Sequence, residues 1–340
     1  MSCATSGGFR LTTTRAPRGV VESADRRVWL AAALVLIVNA LPACAVQPRM
    51  IPLSDPPRSQ DCRHVSSGIP VTWIVPDDPN HRQKLDNACA AIGPVVVQGG
   101  QAAMPPAPDA PLVVVDWNTY LGRGNLDELI LKLERGDFTD GMRVGRFVLL
   151  LQEVFRTSIL QFAREHGVSV VFAPTRKLAS EFDDRGGAIL ATDPLDDVTI
   201  VELPFEKQRR VAVGARVGSI HFVNVHLDTS VGLLRGGPGA ARRRQARAVI
   251  EAIARVPAPV LVAGDFNTWW GDDEPAIKEM RQAFPDALPL ATRETWRGPL
   301  RTGNKLDHVF AKGVDPPVAV RRLADRFGSD HWPLITTVIP

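Results

Sequence analysis

The sequence predicts an α+β fold in which two mixed sheets pack together and helices flank them. Between residues 111 and 340, short apolar runs rich in β-branched residues alternate with turn signals, and their lengths favour strands. Helical patterns occupy some of the intervals, and two runs joined around 218–219 have the spacing of a hairpin. The predicted strands are 112–115, 147–151, 168–172, 188–191, 198–201, 211–217, 220–225, 260–263, 308–311 and 334–339, and the predicted helices are 126–134, 157–166, 240–254 and 274–284.

The composition is that of an ordinary globular protein. Of 340 residues, 45% are hydrophobic and 23% are charged, which allows a large core. The formal net charge of +3 suits an anionic substrate but does not require a nucleic acid.

Residues 1–46 have the pattern of an export signal or membrane anchor. Arg26 and Arg27 precede an apolar stretch at 28–46 that ends in small residues. A buried helix is the alternative, but Pro42 and the proline-rich segment after it argue against one. Residues 41–44 also resemble the lipobox of bacterial lipoproteins, in which the cysteine is lipidated, and an uncleaved signal anchor is the competing interpretation. We therefore expect an extracytoplasmic protein, periplasmic or secreted, with a membrane anchor.

Residues 47–110 are predicted to form a proline-rich tether and a small lead-in element. The tether at 47–61 contains prolines and no hydrophobic period. A strand at 71–75, a helix at 81–91 and an apolar run at 95–97 follow, and a proline-rich break precedes residue 111. In an oxidising compartment Cys62 and Cys89 are expected to form a disulfide, and two free thiols are the alternative.

Polar side chains occur where several predicted strands give way to loops. Asn118 ends the first strand, Glu153 follows the second, His226 ends the hairpin, and the sequence GDFN at 264–267 follows a later strand. The strand fixes the position of each side chain and the loop gives access to it. Carboxylates, amides and imidazoles placed in this way are what a metal-assisted phosphoester hydrolase needs.

Each cluster also has a structural explanation. Asparagine commonly caps strands and turns, and Glu153 could be buried against an arginine instead of a magnesium ion. At the C-terminal end, Asp307 precedes one histidine and Asp330 precedes another, His331. An aspartate that orients a histidine fixes its tautomer and raises its basicity. Spacing alone leaves open which aspartate serves which histidine.

Together these residues resemble the signature of the endonuclease/exonuclease/phosphatase superfamily, which includes pancreatic-type deoxyribonucleases, bacterial sphingomyelinases and inositol polyphosphate 5-phosphatases. They follow the order of the superfamily from 112 to 340, and the combination of GDFN with a terminal SDHWP is highly specific. The resemblance implies a catalytic domain at 111–340, built as a four-layer α/β/β/α sandwich. It also implies hydrolysis of phosphoester bonds with Mg²⁺, or alternatively Mn²⁺.

The resemblance further implies a role for each residue. Asp265 and Asn267 would position or deprotonate the attacking water. His226 and His331 would hold the scissile phosphate, and Asp307 would orient His331. Whether Asp265 or His331 is the base, and whether one metal or two are bound, stays open. The implied catalytic residues are His226, Asp265, Asn267, Asp307 and His331, and the implied metal ligands are Glu153, Asn118 and Asp330, with Asn118 also near the substrate.

Two features bear on the substrate. The segment 182–187 lacks the tyrosine that DNA-cleaving members often carry, and the pattern at 224–227 looks closer to the phosphomonoesterase and phospholipase branches. Arg235 and Arg242 are predicted to bind phosphate-rich substrates, with a solvated helix face as the alternative. The predicted partner is a phosphoester of a nucleic acid, a phospholipid or a small molecule, acted on by a monomer. The alternative function is a non-catalytic phosphate- or lipid-binding module that retains the fold.

Overall fold

Two seven-stranded sheets lie at the centre of the computed structural model, which describes residues 47–53, 62–65, 69–100, 110–178, 180–230, 237, 239–292, 294–298, 302–314 and 317–340. The strands are β1 Met50–Pro52, β2 Val71–Pro76, β3 Val96–Gln98, β4 Leu112–Asn118, β5 Phe147–Phe155, β6 Ser169–Arg176, β7 Arg185–Ala191, β8 Asp196–Glu202, β9 Val211–Val217, β10 Ile220–His226, β11 Val260–Asp265, β12 Trp296–Arg297, β13 Gly303–Asn304, β14 Asp307–Lys312, β15 Arg321–Arg322 and β16 Leu334–Val338. The helices are α1 Pro79–Cys89, α2 Leu126–Arg135, α3 Arg156–Glu165, α4 Ala240–Ile253 and α5 Pro275–Ala283, with a 3₁₀ turn at Gly271–Asp273.

Both sheets are mixed. The first has the strand order β1-β2-β8-β9-β10-β11-β14, and the second has the order β15-β16-β4-β5-β7-β6-β3. In the first, β10 pairs antiparallel with β9 in the predicted hairpin and parallel with β11. In the second, β4 pairs parallel with β5 and antiparallel with β16. The prediction of two packed mixed sheets with flanking helices is confirmed.

Three apolar clusters explain the layers. Leu112 and Val114 of β4 pack with Phe222 of β10 in a cluster between the two sheets. Val113 and Val115, on the opposite face of β4, pack against α2 and α3. A third cluster joins α4 and α5 to the outer face of the first sheet. Central strands are thus buried on both faces, which is why they appear in the sequence as nearly continuous apolar runs.

The described part of residues 47–110, predicted as a separate tether and lead-in element, is paired into both sheets. β1 and β2 form one edge of the first sheet, where β2 pairs parallel with β8. β3 pairs antiparallel with β6 at the edge of the second sheet. The predicted boundary at residue 110 therefore does not separate two compact units in the described chain.

An ionic cluster links this N-terminal segment to the first sheet, and a disulfide closes a loop within the segment. Arg63 Nη2 donates to Glu202 Oε2 at 2.9 Å, and Arg209 Nη2 donates to Glu202 Oε1 at 2.8 Å, in a buried cluster. The predicted disulfide between Cys62 and Cys89 is confirmed. The predictions for residues 1–46, including lipidation of Cys44, lie outside the described residues. Among the helices of the described chain, none has the length and apolar character needed to cross a membrane.

Candidate active site

The strand faces that point between the sheets change from apolar to polar at one end of the sandwich. In β4, Asp116 and Asn118 continue the face that carries Leu112 and Val114, because alternate residues of a strand share a face. The same change occurs at the ends of β5, β10, β11 and β14, where buried polar side chains follow the apolar core: Gln152, Asn224, His226, Asp265 and Asp307. Buried polar groups need hydrogen-bond partners, so this end of the sandwich is a polar network.

Hydrogen bonds cross between the sheets in this network. Asn118 Nδ2 of the second sheet donates to Asp265 Oδ2 of the first at 2.9 Å. Gln152 Nε2 donates to Asn224 Oδ1 at 2.7 Å, and the Asn224 amide donates in turn to two main-chain carbonyl oxygens of the second sheet. These contacts fix the positions of residues that are as much as 147 positions apart in sequence.

Asp265 lies between two histidines. Its Oδ2 atom is 3.5 Å from His226 Nε2 and 3.9 Å from His331 Nε2. Its Oδ1 atom accepts a hydrogen bond from the main-chain nitrogen of Asn267 at 2.8 Å. Gly264 is required before it, because a Cβ atom there would lie 1.8 Å from a main-chain carbonyl oxygen of β10. This close approach of β10 and β11 sets Asp265 directly opposite His226 in the sheet register.

His331 forms a buried pair with Asp307. Asp307 is therefore the aspartate that orients this histidine, which spacing in the sequence did not determine. Its Nδ1 atom is 3.0 Å and 2.9 Å from the two carboxylate oxygens. Burial alone would lower the pKa of His331, but the charges of Asp307, Asp265 and Asp330 and the hydrogen bond to Asp307 raise it. His331 is therefore held as an imidazolium. The other histidine, His308, contacts Thr268 and Asp272 instead.

Glu153 lies at an irregularity of β5. The pairing register with β7 shifts between Leu151 and Val154, and Glu153 has a φ of 60°, which is uncommon for a residue with a side chain. Its Oε2 atom accepts a hydrogen bond from Leu121 N at 3.0 Å and lies 3.4 Å from Arg185 Nη1. The side chain is 23% exposed, so the carboxylate remains accessible.

Asp330 has a buried oxygen that suits a hard divalent cation. Asp330 Oδ1 is buried and has no hydrogen-bond partner in the described chain, while Oδ2 accepts a hydrogen bond from Trp296 Nε1 at 2.9 Å. The nearest cationic atom to this oxygen, His331 Nε2, is 3.9 Å away. A buried carboxylate oxygen without a partner is costly. Carboxylate and amide oxygens are the ligands that Mg²⁺ prefers, so Glu153, Asp330 and Asn118 have suitable donor groups, and their joint binding of one ion stays a prediction.

A second group of potential ligands lies beside these residues. Asp265, Asp307 and His331 bring ligand atoms within 4.8 Å of one another. Both Asp307 oxygens already face His331 Nδ1. A metal bound by this group would have to displace that hydrogen bond.

A cavity of about 390 Å³ opens beside Glu153 and His226. Burial, followed by the positive charges of Arg210 and His331, lowers the pKa of His226 well below its usual value, so its ring is neutral. Asp265 thus has a neutral histidine on one side and a charged histidine on the other. The remaining lining residues are Leu121, Thr175, Arg176, Arg185, Lys207, Gln208, Arg210 and Thr229.

The structure brings most of the predicted site residues together at this end of the sandwich, although their individual catalytic roles stay predictions. Glu153 shares the cavity with His226, and the Asn267 side chain donates to Leu227 O at 3.0 Å. The residues linked to Asp265, directly or through one other residue, are Asn118, His226, Asn267, Asp307, Asp330 and His331.

The prediction that Arg242 binds substrate is wrong. Its side chain is 0% exposed, and its guanidinium donates to the buried carboxylate of Glu274 and to Ser230 O. A guanidinium enclosed in this way between α4 and the start of α5 has no surface to offer a ligand. Arg235 lies outside the described residues.

Several residues of the site carry no signal that was used in the sequence predictions. Arg185 and Arg210 line the cavity, Thr295 Oγ1 accepts hydrogen bonds from the main-chain nitrogens of Leu306 and Asp307, and Trp296 donates to Asp330. The charged run at 206–210 is a signal that could have identified Arg210. Thr295 and Trp296 lie in a segment without periodicity, and no pattern marks them.

Two UPF0294 proteins of Vibrio vulnificus are 33% identical over 97 residues, which is 28% of this chain and 32% of theirs, so the match spans about a third of these relatives. Sphingomyelinase C from Streptomyces griseocarneus has 19% identity and a TM-score of 0.46 over 67% of this chain and 99% of that chain. A 3'-5' exonuclease from Neisseria meningitidis has 19% identity and a TM-score of 0.47, and the match covers 67% of this chain and 100% of that chain. These structural similarities are weak. The Endonuclease/Exonuclease/phosphatase family model, however, matches residues 117–331, more than half of the chain, and the protein therefore belongs to this family of phosphoester-hydrolysing enzymes.

Proposed function

We propose that the protein is a Mg²⁺-dependent hydrolase of phosphoester bonds, with Mn²⁺ as an alternative metal. The observation that supports this proposal most strongly is the buried Asp265 carboxylate, which lies 3.5 Å from a neutral histidine and 3.9 Å from a charged one. One carboxylate between two imidazoles provides a proton acceptor and two donors within the span of a single phosphate group.

Asp265 is suited to orient and deprotonate the attacking water. Each of its oxygens accepts one hydrogen bond, from Asn118 Nδ2 or from the main-chain nitrogen of Asn267, and each keeps a free lone pair. These contacts hold the carboxylate in place, so it can receive a proton without rearranging.

The two histidines are suited to hold the phosphoryl group. His331 carries a positive charge that Asp307 stabilises, and its Nε2 atom can donate to a phosphoryl oxygen on which negative charge develops. His226 is neutral and supplies a second donor or acceptor without adding charge. Glu153, Asp330 and Asn118 would hold the metal, which when bound neutralises charge on the phosphoryl oxygens.

We also propose that the protein is exported, membrane-tethered and monomeric. The apolar stretch at 28–46 after Arg26 and Arg27 supports export, and the disulfide between Cys62 and Cys89 suits an oxidising compartment. Cell fractionation with and without Cys44→Ala tests the anchor, since loss of lipidation should release the protein from the membrane unless 28–46 acts as an uncleaved anchor. Light scattering of the purified chain tests the monomer.

The test of the hydrolase uses the full chain purified in detergent with bis(4-nitrophenyl) phosphate. Turnover should require Mg²⁺ and stop with EDTA. Glu153→Gln should lower kcat by roughly a hundredfold or more without lowering the melting temperature. His331→Gln should lower kcat by a similar factor in the folded protein, but it should also lower the melting temperature, because it leaves the buried Asp307 carboxylate unpaired. Glu134→Gln is the matched control, because Glu134 is an exposed glutamate on α2. Glu153→Gln should also weaken Mg²⁺ binding measured by calorimetry.

Retained turnover in both variants would refute the proposal. A chain that binds Mg²⁺ and phosphate but hydrolyses no phosphoester would favour the alternative, a non-catalytic binding module.

A further inference from the structure

The cavity beside Glu153 and His226 is strongly basic. Four of its lining side chains are cationic, namely Arg176, Arg185, Lys207 and Arg210. Glu153 is the one carboxylate among the described lining residues, so these residues carry three formal positive charges in excess. His226 adds none, because burial keeps its ring neutral. The single negative charge of a phosphodiester would leave most of this excess unbalanced.

Arg210 forms no close ion pair within the described chain. It is 6% exposed, its Nε atom is buried without a hydrogen-bond partner, and no carboxylate oxygen of a described residue lies within 4.0 Å of its guanidinium. Burial lowers the pKa of Arg210, and the more distant charges of Glu153, Asp265 and Asp228 offset this shift only in part. A buried, unpaired guanidinium destabilises a protein unless an anion accompanies it. Its position in the wall of an open cavity indicates an anion that comes from outside the chain.

Arg176 and Lys207 extend this charge to the surface. Both are exposed and line the same cavity, and among the described residues neither forms an ion pair. Arg176 has only a 3.3 Å hydrogen bond to the neutral Gln208. Arg185 is the exception, because it is shared between Glu153 and Glu181 at 3.4 Å each. Three of the four cations are therefore available to a ligand.

We propose that this cavity binds a second phosphate group of the substrate, next to the phosphoester that is hydrolysed. The proposal rests on the hydrolase function above, since Glu153 and His226 belong both to the cavity and to the catalytic cluster. The substrate class is thus a phosphoester that carries a further phosphate close to the scissile one. A head group with a quaternary ammonium, such as choline, is repelled by the same charges.

The second phosphate can come from two sources, a neighbouring nucleotide or a phosphorylated head group. One arm of the experiment compares kcat/KM for thymidine dinucleotides with and without a terminal phosphate. The other arm compares glycerophosphoinositol 4-phosphate with glycerophosphoinositol, and glycerophosphocholine is the cationic reference. The full chain should prefer the additional phosphate by roughly tenfold to a hundredfold in at least one arm, mainly through KM, and should turn over the choline ester most slowly.

The double variant Arg176→Ala/Lys207→Ala should lower this preference about tenfold. Lys177→Ala is the control, because Lys177 is an exposed neighbour that does not line the cavity, and it should keep the preference. Equal kcat/KM with and without the second phosphate in both arms would overturn the proposal. An unchanged preference in the double variant would also overturn it.

Arg210→Met separates a binding role from a structural role. If Arg210 awaits a ligand anion, removal of its buried charge should maintain or raise the melting temperature of the unliganded protein. It should also reduce the upward shift that inorganic pyrophosphate produces. A lower melting temperature with an unchanged pyrophosphate shift would mean that Arg210 is structural. These binding measurements need no turnover, so they decide the proposal even if the hydrolase assay fails.

Discussion

Asp307→Asn should remove the charge that holds His331 while keeping the shape of the side chain. The Asp307 oxygen is 2.9 Å from His331 Nδ1. At that distance, with an effective dielectric constant of about 20, the lost attraction is about 6 kcal/mol before the cost of burying the carboxylate is subtracted. Asp265 and Asp330 remain near the other ring nitrogen, each at 3.9 Å. We therefore expect the pKa of His331 to fall by roughly two units or more.

The assay is the pH dependence of kcat/KM for bis(4-nitrophenyl) phosphate from about pH 5 to about pH 10, combined with NMR titration of the histidine rings. Because the pKa of His331 is raised in the native protein, its charged form is lost only as pH rises through that raised value. In the variant this loss should move to lower pH, and the rate should fall by roughly 10² to 10⁴. The control is Asp127→Asn. It alters the exposed pair of Asp127 and His166, which lie 3.2 Å apart and have no predicted catalytic role. A variant with an unchanged profile and an unchanged His331 titration would refute the reasoning.

Three further predictions concern stability. Glu202→Gln should lower the free energy of unfolding by about 3–5 kcal/mol in denaturant titrations, because Arg209 would stay buried without a counter-charge, while Arg63 would still pair with Asp86, and a loss below about 1 kcal/mol would contradict this. Gly264→Ala should prevent folding or greatly lower the melting temperature, because its Cβ would lie 1.8 Å from a carbonyl oxygen. In the control, Gly99→Ala, the new Cβ would have no atom within 4 Å, and the melting temperature should not change. Burial lowers the pKa of His221 to about 4, so unfolding adds a proton between that value and the usual 6.5. Stability should fall as pH drops through this window, by up to about 1.4 kcal/mol per pH unit, and His221→Gln should flatten that slope.

The strands and the polar residues at their ends could be predicted because both are local signals. A run such as 112–115 is apolar on both faces of its strand, because each face packs in a different apolar cluster. The same strand then ends in a polar residue, Asn118. The contact between Asn118 and Asp265 joins two sheets, and no local spacing determines it. Only the order of the motifs, through resemblance to a family, indicated that these residues converge.

Arg242 and Arg210 show where local signals fail. Both belong to arginine-rich segments that have the composition of a solvated surface. Arg242 is buried because Glu274, which is 32 residues away, accepts its hydrogen bond. Arg210 is buried because it precedes a central strand, and its environment depends on the ends of several non-adjacent strands. In each case burial depends on tertiary partners, which helix and strand periodicity do not identify.

The edge strands illustrate the same limit at the level of domains. The sequence identified a strand at 71–75 and an apolar run at 95–97, but an edge exists only once the order of a sheet is known. Exposed sheet edges favour aggregation, and the segment that contains these two strands covers one edge of each sheet. Truncation at residue 110 would therefore remove parts of both sheets and one partner of the Arg63–Glu202 pair.

Two residues of the site have a strained backbone conformation, which supports a functional role for their positions. Glu153 and Asn267 have φ values of 60° and 52°, although both carry side chains. Such conformations cost about 1–3 kcal/mol each, and they persist only where the surroundings enforce them. Here Leu121 N binds the Glu153 carboxylate, and the Asn267 main chain binds Asp265. Glycine would relieve the strain at either position but would remove the carboxylate or the amide. By keeping the strained residues at the ends of β5 and β11, the protein retains the carboxylate and the amide at some cost in stability. This is expected if the two polar groups are needed for function at these positions.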